Sequence, residues 1–277
     1  YEYYSTPKIL RNKNFEILRK KQYKNLQKFF NKHFCFISPK KYEKYLKCMT
    51  ETNVQDYLII NPHLKTKHPK VIDLGPGLGR HFSWINTFYK DPVYYGVDIA
   101  LFSYLNQKAF FQTFDVKVHD LIEYEQFGLS QKSIKGLKNE VWQVPTWHLN
   151  KIDDSVDLIT ASFMLNELNT VGLLYLIYYS TRKLKKNGLF YIRDSAKLKP
   201  ERHNIKYDEL LIKLGFKRIA HHEFDYRKNF FGVPRVYKKI TESKIKGNFY
   251  DFVTTYVNKF EYTSQRFSLT QRFKKTI

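Results

Sequence analysis

Residues 71–82 read VIDLGPGLGRHF: a short apolar strand that carries an acid, Asp73, and runs without a spacer into the alternating glycines Gly75, Gly77 and Gly79. A strand that passes directly into a glycine-rich turn and then a helix puts a ligand at the carboxyl edge of a parallel sheet. There the backbone can be approached closely and the helix N-terminus is electropositive. The spacing is GxGxG rather than the GxGxxG of dinucleotide folds. A tight turn without a ligand is the competing reading of these residues.

Downstream, strands and helices alternate. A helix is expected at about 79–89, a strand at 93–97 ending beside Asp98, and a helix at about 101–112, followed by a less patterned region. SVDLITASFML reads as a buried strand, TVGLLYLIYYSTRKL as a helix ending in the turn KKNG, and LFYIRDS as another strand. YDELLIKLGF follows as a helix, and KRIAHHEF and VPRVYKKI as two closing strands with no room for a helix between them. The expectation is an α/β, Rossmann-like, doubly wound sheet of seven strands with an antiparallel edge strand. Upstream, FEILRKKQYKNLQKFFNKHF spaces its apolar residues for an amphipathic helix. ISPKKYEKYLKCM starts another, with Ser38 as cap and Pro39 at its first position. Residues 1–65 therefore read as an N-terminal helical cap, 66–240 as the ligand-binding domain, and 241–277 as a basic, aromatic C-terminal extension or linker.

Composition bounds the function. The 277 residues are 43% hydrophobic, too apolar for a disordered chain, and allow a sizeable core. No uncharged apolar run approaches the roughly 18 to 20 residues of a membrane span. Tyr1 in place of Met reads as the start of a trimmed or excised piece. The two cysteines, Cys35 and Cys48, form no CxxC pair and suit a reducing cytoplasm. A formal net charge of +22 fits nucleic acid, an acidic or nucleotide-linked glycan, or peripheral contact with an anionic membrane. The excess is mostly Lys spread along the chain, which is weaker evidence for phosphate reading than clustered Arg.

The acid-then-GxGxG loop, with Asp98 ending the next strand, resembles the class I S-adenosylmethionine-dependent methyltransferases. That resemblance implies S-adenosyl-L-methionine as cofactor. Asp73, Gly75, Pro76, Gly77, Gly79 and Arg80 would lie around its methionine part, Asp98 would hold the ribose, and Ile99 would flank the adenine. VWQVPTW would supply an adenine-side contact through Gln143 or Val144. More narrowly, VIDLGPGLGRHFSWI, YYGVDIALFSYLNQKAFF and the stretch from Val156 to Ser195 resemble the sugar O-methyltransferase family of bacterial surface-polysaccharide clusters, over about residues 65–200. Ser162 stands at the serine-phenylalanine strand end of that pattern, and the resemblance puts it among the cofactor-binding residues. Asp73 departs from it where many members carry Glu, and Asn166-Glu167-Leu168 replaces a more usual Gln-Glu-Met. The implied activity is methylation of a sugar hydroxyl or phospho-substituent of a surface polysaccharide or its precursor.

A sugar hydroxyl is a poor nucleophile while protonated, so a positioned base is expected. Glu167, just past the strand that ends at Ser162, is the first candidate; an acid at a helix N-terminus, favoured by the dipole, is the other reading. His148, after the aromatic VPTW segment, is the second candidate. His221 and His222 sit on one strand with side chains on opposite faces, so at most one reaches a site. Asp194 and Glu167 could share a divalent cation, but no third ligand is visible, and the site is read as metal-free. Trp84, Trp142 and Trp147 are candidate stacking surfaces for a sugar and equally candidates for the core. An RNA or protein methyltransferase, or an inactive adaptor of the same fold, are the rival readings.

Overall fold

Two helices precede the first strand, α1 (Lys13–His33) and α2 (Pro39–Ile60). The structure, a computed structural model, describes residues 13–33, 38–98, 101–129, 133–153, 155–165, 168–194, 207–221, 233–241 and 247–260. α1 turns Phe15, Gln22, Leu26, Phe29 and Phe30 inward, the stripe that the sequence periodicity calls for. α2 begins at Pro39 behind Ser38, as expected, but the Ser38 side chain makes no capping hydrogen bond. Both helices are keyed to α3 (Arg80–Phe88) through one serine. Gln22 Nε2 and Asn53 Nδ2 donate to Ser83 Oγ at 2.9 and 2.7 Å, and Asn25 Nδ2 donates to Thr87 Oγ1 at 3.0 Å. Buried polar pairs of this kind favour one packing orientation over the many that apolar surfaces alone accept.

The sheet contains β1 (Lys70–Leu74), β2 (Val93–Asp98), β3 (Lys117–Asp120), β4 (Glu140–Pro145), β5 (Val156–Ser162), β6 (Leu184–Asp194), β7 (Phe216–His221) and β8 (Val233–Lys239). Their spatial order is β3-β4-β2-β1-β5-β6-β8-β7. The sheet is parallel except for β8, which runs antiparallel to both β6 and β7. The antiparallel element therefore lies one position in from the edge. The strands are joined by α4 (Leu101–Phe111), α5 (Leu121–Gln126), α6 (Thr170–Lys183) and α7 (Tyr207–Lys213), and α8 (Phe249–Phe260) follows the sheet. α8 packs Phe249 and Phe252 against Tyr178 of α6.

Side-chain alternation along each strand divides the core. Val71, Tyr94, Leu158, Leu189 and Tyr191 face α1 to α4, whereas Ile72, Tyr95, Ile159, Phe190 and Ile192 face the layer of α6 to α8. No helix among the described residues is long and apolar enough to cross a membrane.

Two expectations need correction. The sheet has eight strands rather than seven, because β3 pairs in parallel with β4 at the outer edge. Its four residues, KVHD, bury only the last two, too little apolar pattern to be seen in sequence. The KKNG segment is not the turn that ends α6 either. α6 passes at Lys183 directly into β6, and the segment bulges within that strand, where the register jumps from Val156↔Leu184 to Leu158↔Leu189. Of the 241–277 extension, residues 242–246 and 261–277 lie outside the described residues.

Candidate active site

β2 lies on one side of β1 and β5 on the other, so the chain reverses its winding at β1 and leaves a crevice beyond the carboxyl ends of these strands. The glycine loop enters that crevice, and its three glycines, all at positive φ, meet different surroundings. A Cβ on Gly75 (φ +63) would fall 2.5 Å from Met164 Cγ, and one on Gly79 (φ +83) 2.5 Å from Phe110 Cδ1; a Cβ on Gly77 (φ +58) would meet nothing within 4 Å. Gly75 and Gly79 are therefore glycines for close packing, and Gly77 alone leaves bare backbone facing open space. Pro76 rests against β2, its Cγ 3.4 Å from where a Cβ on Gly96 would stand.

Beneath the loop lies a buried polar cluster. Because alternate strand residues share a face, Asp73 of β1, Tyr94 of β2, Thr160 and Ser162 of β5, and Tyr191 and Arg193 of β6 all point toward α2 and α3. The Asp73 carboxylate accepts from Thr160 Oγ1 at 2.7 Å and from the Tyr94 hydroxyl, and lies 2.8 Å from His81 Nδ1. Arg80 Nη2 and Ser162 Oγ approach His81 Nε2 at 2.7 and 3.0 Å. A guanidinium N–H can only donate, so Nε2 is the acceptor and the ring proton sits on Nδ1, donated to Asp73. Ser162, His81 and Asp73 thus form one hydrogen-bonded chain, with His81 and Asp73 buried and Ser162 half-buried.

α2 supplies the counter-charge. Asp56, fully buried, accepts from Arg193 Nε at 2.8 Å, pairs with Arg193 Nη2 at 2.6 Å, and bonds Arg80 and the Tyr191 hydroxyl. Burial pushes its pKa upward, but the Arg193 and Arg80 guanidiniums outweigh burial and hold it well below the usual carboxylate range. Burial, more than the adjoining Asp56, drives the Tyr191 hydroxyl the other way.

A second cluster surrounds the end of β2. Asp98 is buried and accepts from Gln107 Nε2 of α4 at 2.7 Å. Gln143 of β4 is fully buried and donates from Nε2 to the Tyr104 carbonyl at 2.7 Å. The amide oxygens of Gln107 and Gln143 are buried without a hydrogen-bond partner. Tyr104 donates to Asp120 at the end of β3, and Asp120 in turn caps α5 by accepting from Ile122 N and Glu123 N.

The other residues singled out in sequence fall as follows. Glu167 and Ile99 lie outside the described residues, as do His222 and the side chain of His221. Val144 is fully buried in the core layer of α6 and α7. His148, on the 3-10 turn after β4, stands 2.6 Å from Glu125 Oε1, which Lys151 also contacts at 2.7 Å. Asp194 is buried at the end of β6. Trp84 and Trp142 are core residues, and Trp147 is half exposed. Among the described residues, no group of three or more His, Cys, Asp or Glu side chains gathers as a metal site would.

Sequence reading missed Asp56, His81, Gln107, Thr160 and Arg193. A signal for Asp56 was present: Thr52, Asn53 and Asp56 form a polar stripe at helical spacing on α2, buried rather than solvated. Phe163 was also passed over. It holds φ +57, a conformation a bulky side chain rarely adopts, and its N–H donates to the Arg193 carbonyl at 2.8 Å. Strain of this kind concentrates at functional sites.

No family model matches the chain, and no curated protein matches it. Among solved structures it is similar to a TehB-like SAM-dependent methyltransferase from Corynebacterium glutamicum, with 17% identity, 66% of this chain and 86% of that one covered, and a TM-score of 0.45. It is also similar to a ribosomal protein L11 methylase from Lactobacillus delbrueckii subsp. bulgaricus, with 15% identity, 69% and 80% covered, and a TM-score of 0.45. A SAM-dependent methyltransferase from Aquifex aeolicus is similar at 18% identity, with 67% and 89% covered and a TM-score of 0.41.

Proposed function

We propose that the chain is an S-adenosylmethionine-dependent methyltransferase whose acceptor is an oxygen nucleophile, a sugar hydroxyl or phospho-substituent of a surface polysaccharide or its precursor. The observation that carries this reading is the bare backbone at Gly77, open at the topological switch point. The nearby residues fit such a ligand. Asp98 offers a carboxylate for ribose hydroxyls, and the unpartnered oxygens of Gln107 and Gln143 are acceptors suited to an amine such as that of adenine. When bound, the cofactor supplies an electrophilic methyl group. The half-exposed Trp147 and the partly exposed, strained Phe163, which follow β4 and β5, are apolar surfaces suited to a sugar face. On this reading residues 66–240 form the catalytic domain, 1–65 its helical cap and 241–277 an extension.

The buried chain of groups accounts for the proton. As Arg80 Nη2 turns its N–H from His81 Nε2 to Ser162 Oγ, 2.8 Å away, the acceptor hydroxyl proton passes to Ser162 Oγ and the Ser162 proton to the freed Nε2, while Asp73 holds Nδ1–H in place. His81 then carries a proton on each nitrogen. Its Nε2 lies 3.4 Å from Asp56 Oδ2 and its Nδ1 2.8 Å from Asp73 Oδ1, two carboxylates that offset the new charge and the Arg80 guanidinium beside it. His81 is too buried to reach a substrate itself, which makes Ser162 the touching group and His81 and Asp73 positioning residues. Glu167 stays the alternative base and His148 the second.

Calorimetric titration of S-adenosylhomocysteine, with NADH as control, tests the cofactor. The first alone should bind. Asp98→Ala should weaken it by about 1 to 3 kcal/mol, and Gly77→Val should remove it by filling the open space. Binding of NADH alone, or unchanged affinity in both variants, would discard the reading. Ser162→Ala should lower methyl transfer to a nucleotide sugar or capsule oligosaccharide by about 10² to 10⁴-fold while leaving S-adenosylhomocysteine affinity intact. Unchanged turnover would exclude Ser162 from the proton path.

A further inference from the structure

A concavity unrelated to the crevice opens at the opposite edge of the sheet, beside the amino ends of β1 and β5. It has a volume of about 360 Å³ and is lined by Lys65, Lys185, Lys186 and Lys238, with His63 and Asp157 among its remaining walls. Asp157, its only acid, is already engaged. Its Oδ1 accepts from Lys185 Nζ at 2.8 Å and its Oδ2 from the Lys70 N–H at 2.9 Å. Among the described residues, Lys65, Lys186 and Lys238 have no side-chain hydrogen bond or ion pair. Lys238 is half-buried, and a cation held partly out of water favours an anion beside it.

The wall that brings these lysines together is shaped rather than incidental. β6 bulges there against β5, the register stepping from Leu184 to Leu189 while β5 advances from Val156 to Leu158. Bulges re-aim side chains, and this one carries Lys185 and Lys186 to the rim. It is tightly folded: Asn187 holds φ +66, and a Cβ on Gly188 would fall 2.8 Å from the Leu184 side chain and 2.9 Å from the Lys185 carbonyl. The Asp157–Lys185 pair ties the bulge back to β5. A volume of this size matches a small ligand, but the lining is cationic where most such pockets are apolar.

The geometry points to a binding site at this amino edge for a small phosphate-bearing ligand, on the scale of a nucleoside mono- or diphosphate. The site is independent of the glycine-loop crevice and of the activity proposed there. Lys65, Lys186 and Lys238 supply charge, and Thr66 and Asn187 supply hydrogen-bonding groups.

The test is titration of inorganic pyrophosphate into the full chain at about 0.15 M salt, where diffuse surface attraction is largely screened. Binding is expected, and Lys186→Ala with Lys238→Ala should weaken it by about five- to tenfold for each lysine, with S-adenosylhomocysteine affinity unchanged. Should the double variant fold poorly, Lys186→Glu alone, at an exposed position, should abolish binding. The control is Lys20→Ala with Lys24→Ala on the exposed part of α1, which should leave affinity as it was. No binding, or equal loss in the control, overturns the site in favour of diffuse attraction by the net charge. Lysine-dependent binding of a single-stranded RNA homopolymer without binding of pyrophosphate overturns the small-ligand assignment in favour of a polynucleotide.

Discussion

Asp56→Asn is expected to lower the free energy of unfolding by about 3 to 5 kcal/mol, the range for removing one partner of a buried ion pair. Asp56 is the carboxylate on which Arg193, Arg80 and the Tyr191 hydroxyl converge, and Arg193 is fully buried with it. Asparagine preserves the shape but not the charge. Two guanidiniums beneath the glycine loop would then lose the carboxylate they share, and Asp73 already serves His81, Thr160 and Tyr94. Urea melts should show a lower midpoint with an unchanged slope. Replacing both partners, as Asp56→Leu with Arg193→Met, should lose less than the single variants sum to, because no charge is left stranded. Acid provides an independent check. The Asp56 pKa is depressed in the folded chain, so its stabilisation is complete above the unfolded value of about 4 and is lost as pH falls further. Wild type should therefore lose more stability than Asp56→Asn on acidification below about pH 4. A loss under about 1 kcal/mol in the urea experiment would mean that the cluster behaves like a solvated surface pair.

The second large effect is a contrast within one loop. Gly79→Ala should destabilise by about 2 to 5 kcal/mol, combining about 1 to 2 for a left-handed L-residue with about 1 to 3 for overpacking. Its φ is +83, and the new methyl would press on Phe110 Cδ1 at 2.5 Å and Phe111 Cε1 at 2.9 Å, ring atoms within a packed core. Gly77→Ala has the same backbone penalty and no clash, since nothing lies within 4 Å, so about 1 to 2 kcal/mol is expected. Ligand binding should reverse the ranking. The methyl at position 77 intrudes where the ligand is proposed to lie, whereas the methyl at 79 is directed into α4. Equal destabilisation at the two positions would show that the loop relaxes around Phe110. Equal loss of S-adenosylhomocysteine affinity would mean that the loop contacts the ligand as a unit.

Much of the frame was legible because its signals are local. The apolar triplet before GxGxG, the alternation of strand-like and helix-like segments, and Pro39 at a helix start each need only neighbouring residues, and each appears where expected. β3 escaped because four residues with two buried positions carry almost no period, and the KKNG bulge because a turn and a bulge share the same residues. Of the candidate site, the glycine loop and Asp98 were singled out through their places after strands, and Ser162 through a family pattern. Asp56, His81 and Arg193 were not, because each acquires a role only from a distant partner.

The sequence by itself determined the alternation of elements outside residues 113–155, the carboxyl-edge position of the glycine loop and the strand ends that meet there, since all three follow from periodicity and chain direction. Only the tertiary structure decided which glycine faces open space, and which polar residues share the face beneath it. Asp56 and Arg193 meet across 137 positions of chain, and His81 and Ser162 across 81. Strand alternation says that Asp73, Thr160, Ser162 and Arg193 each face one side of their own strand. The register between strands and the docking of α2 and α3 make it the same side, and that alignment turns scattered polar residues into a connected site.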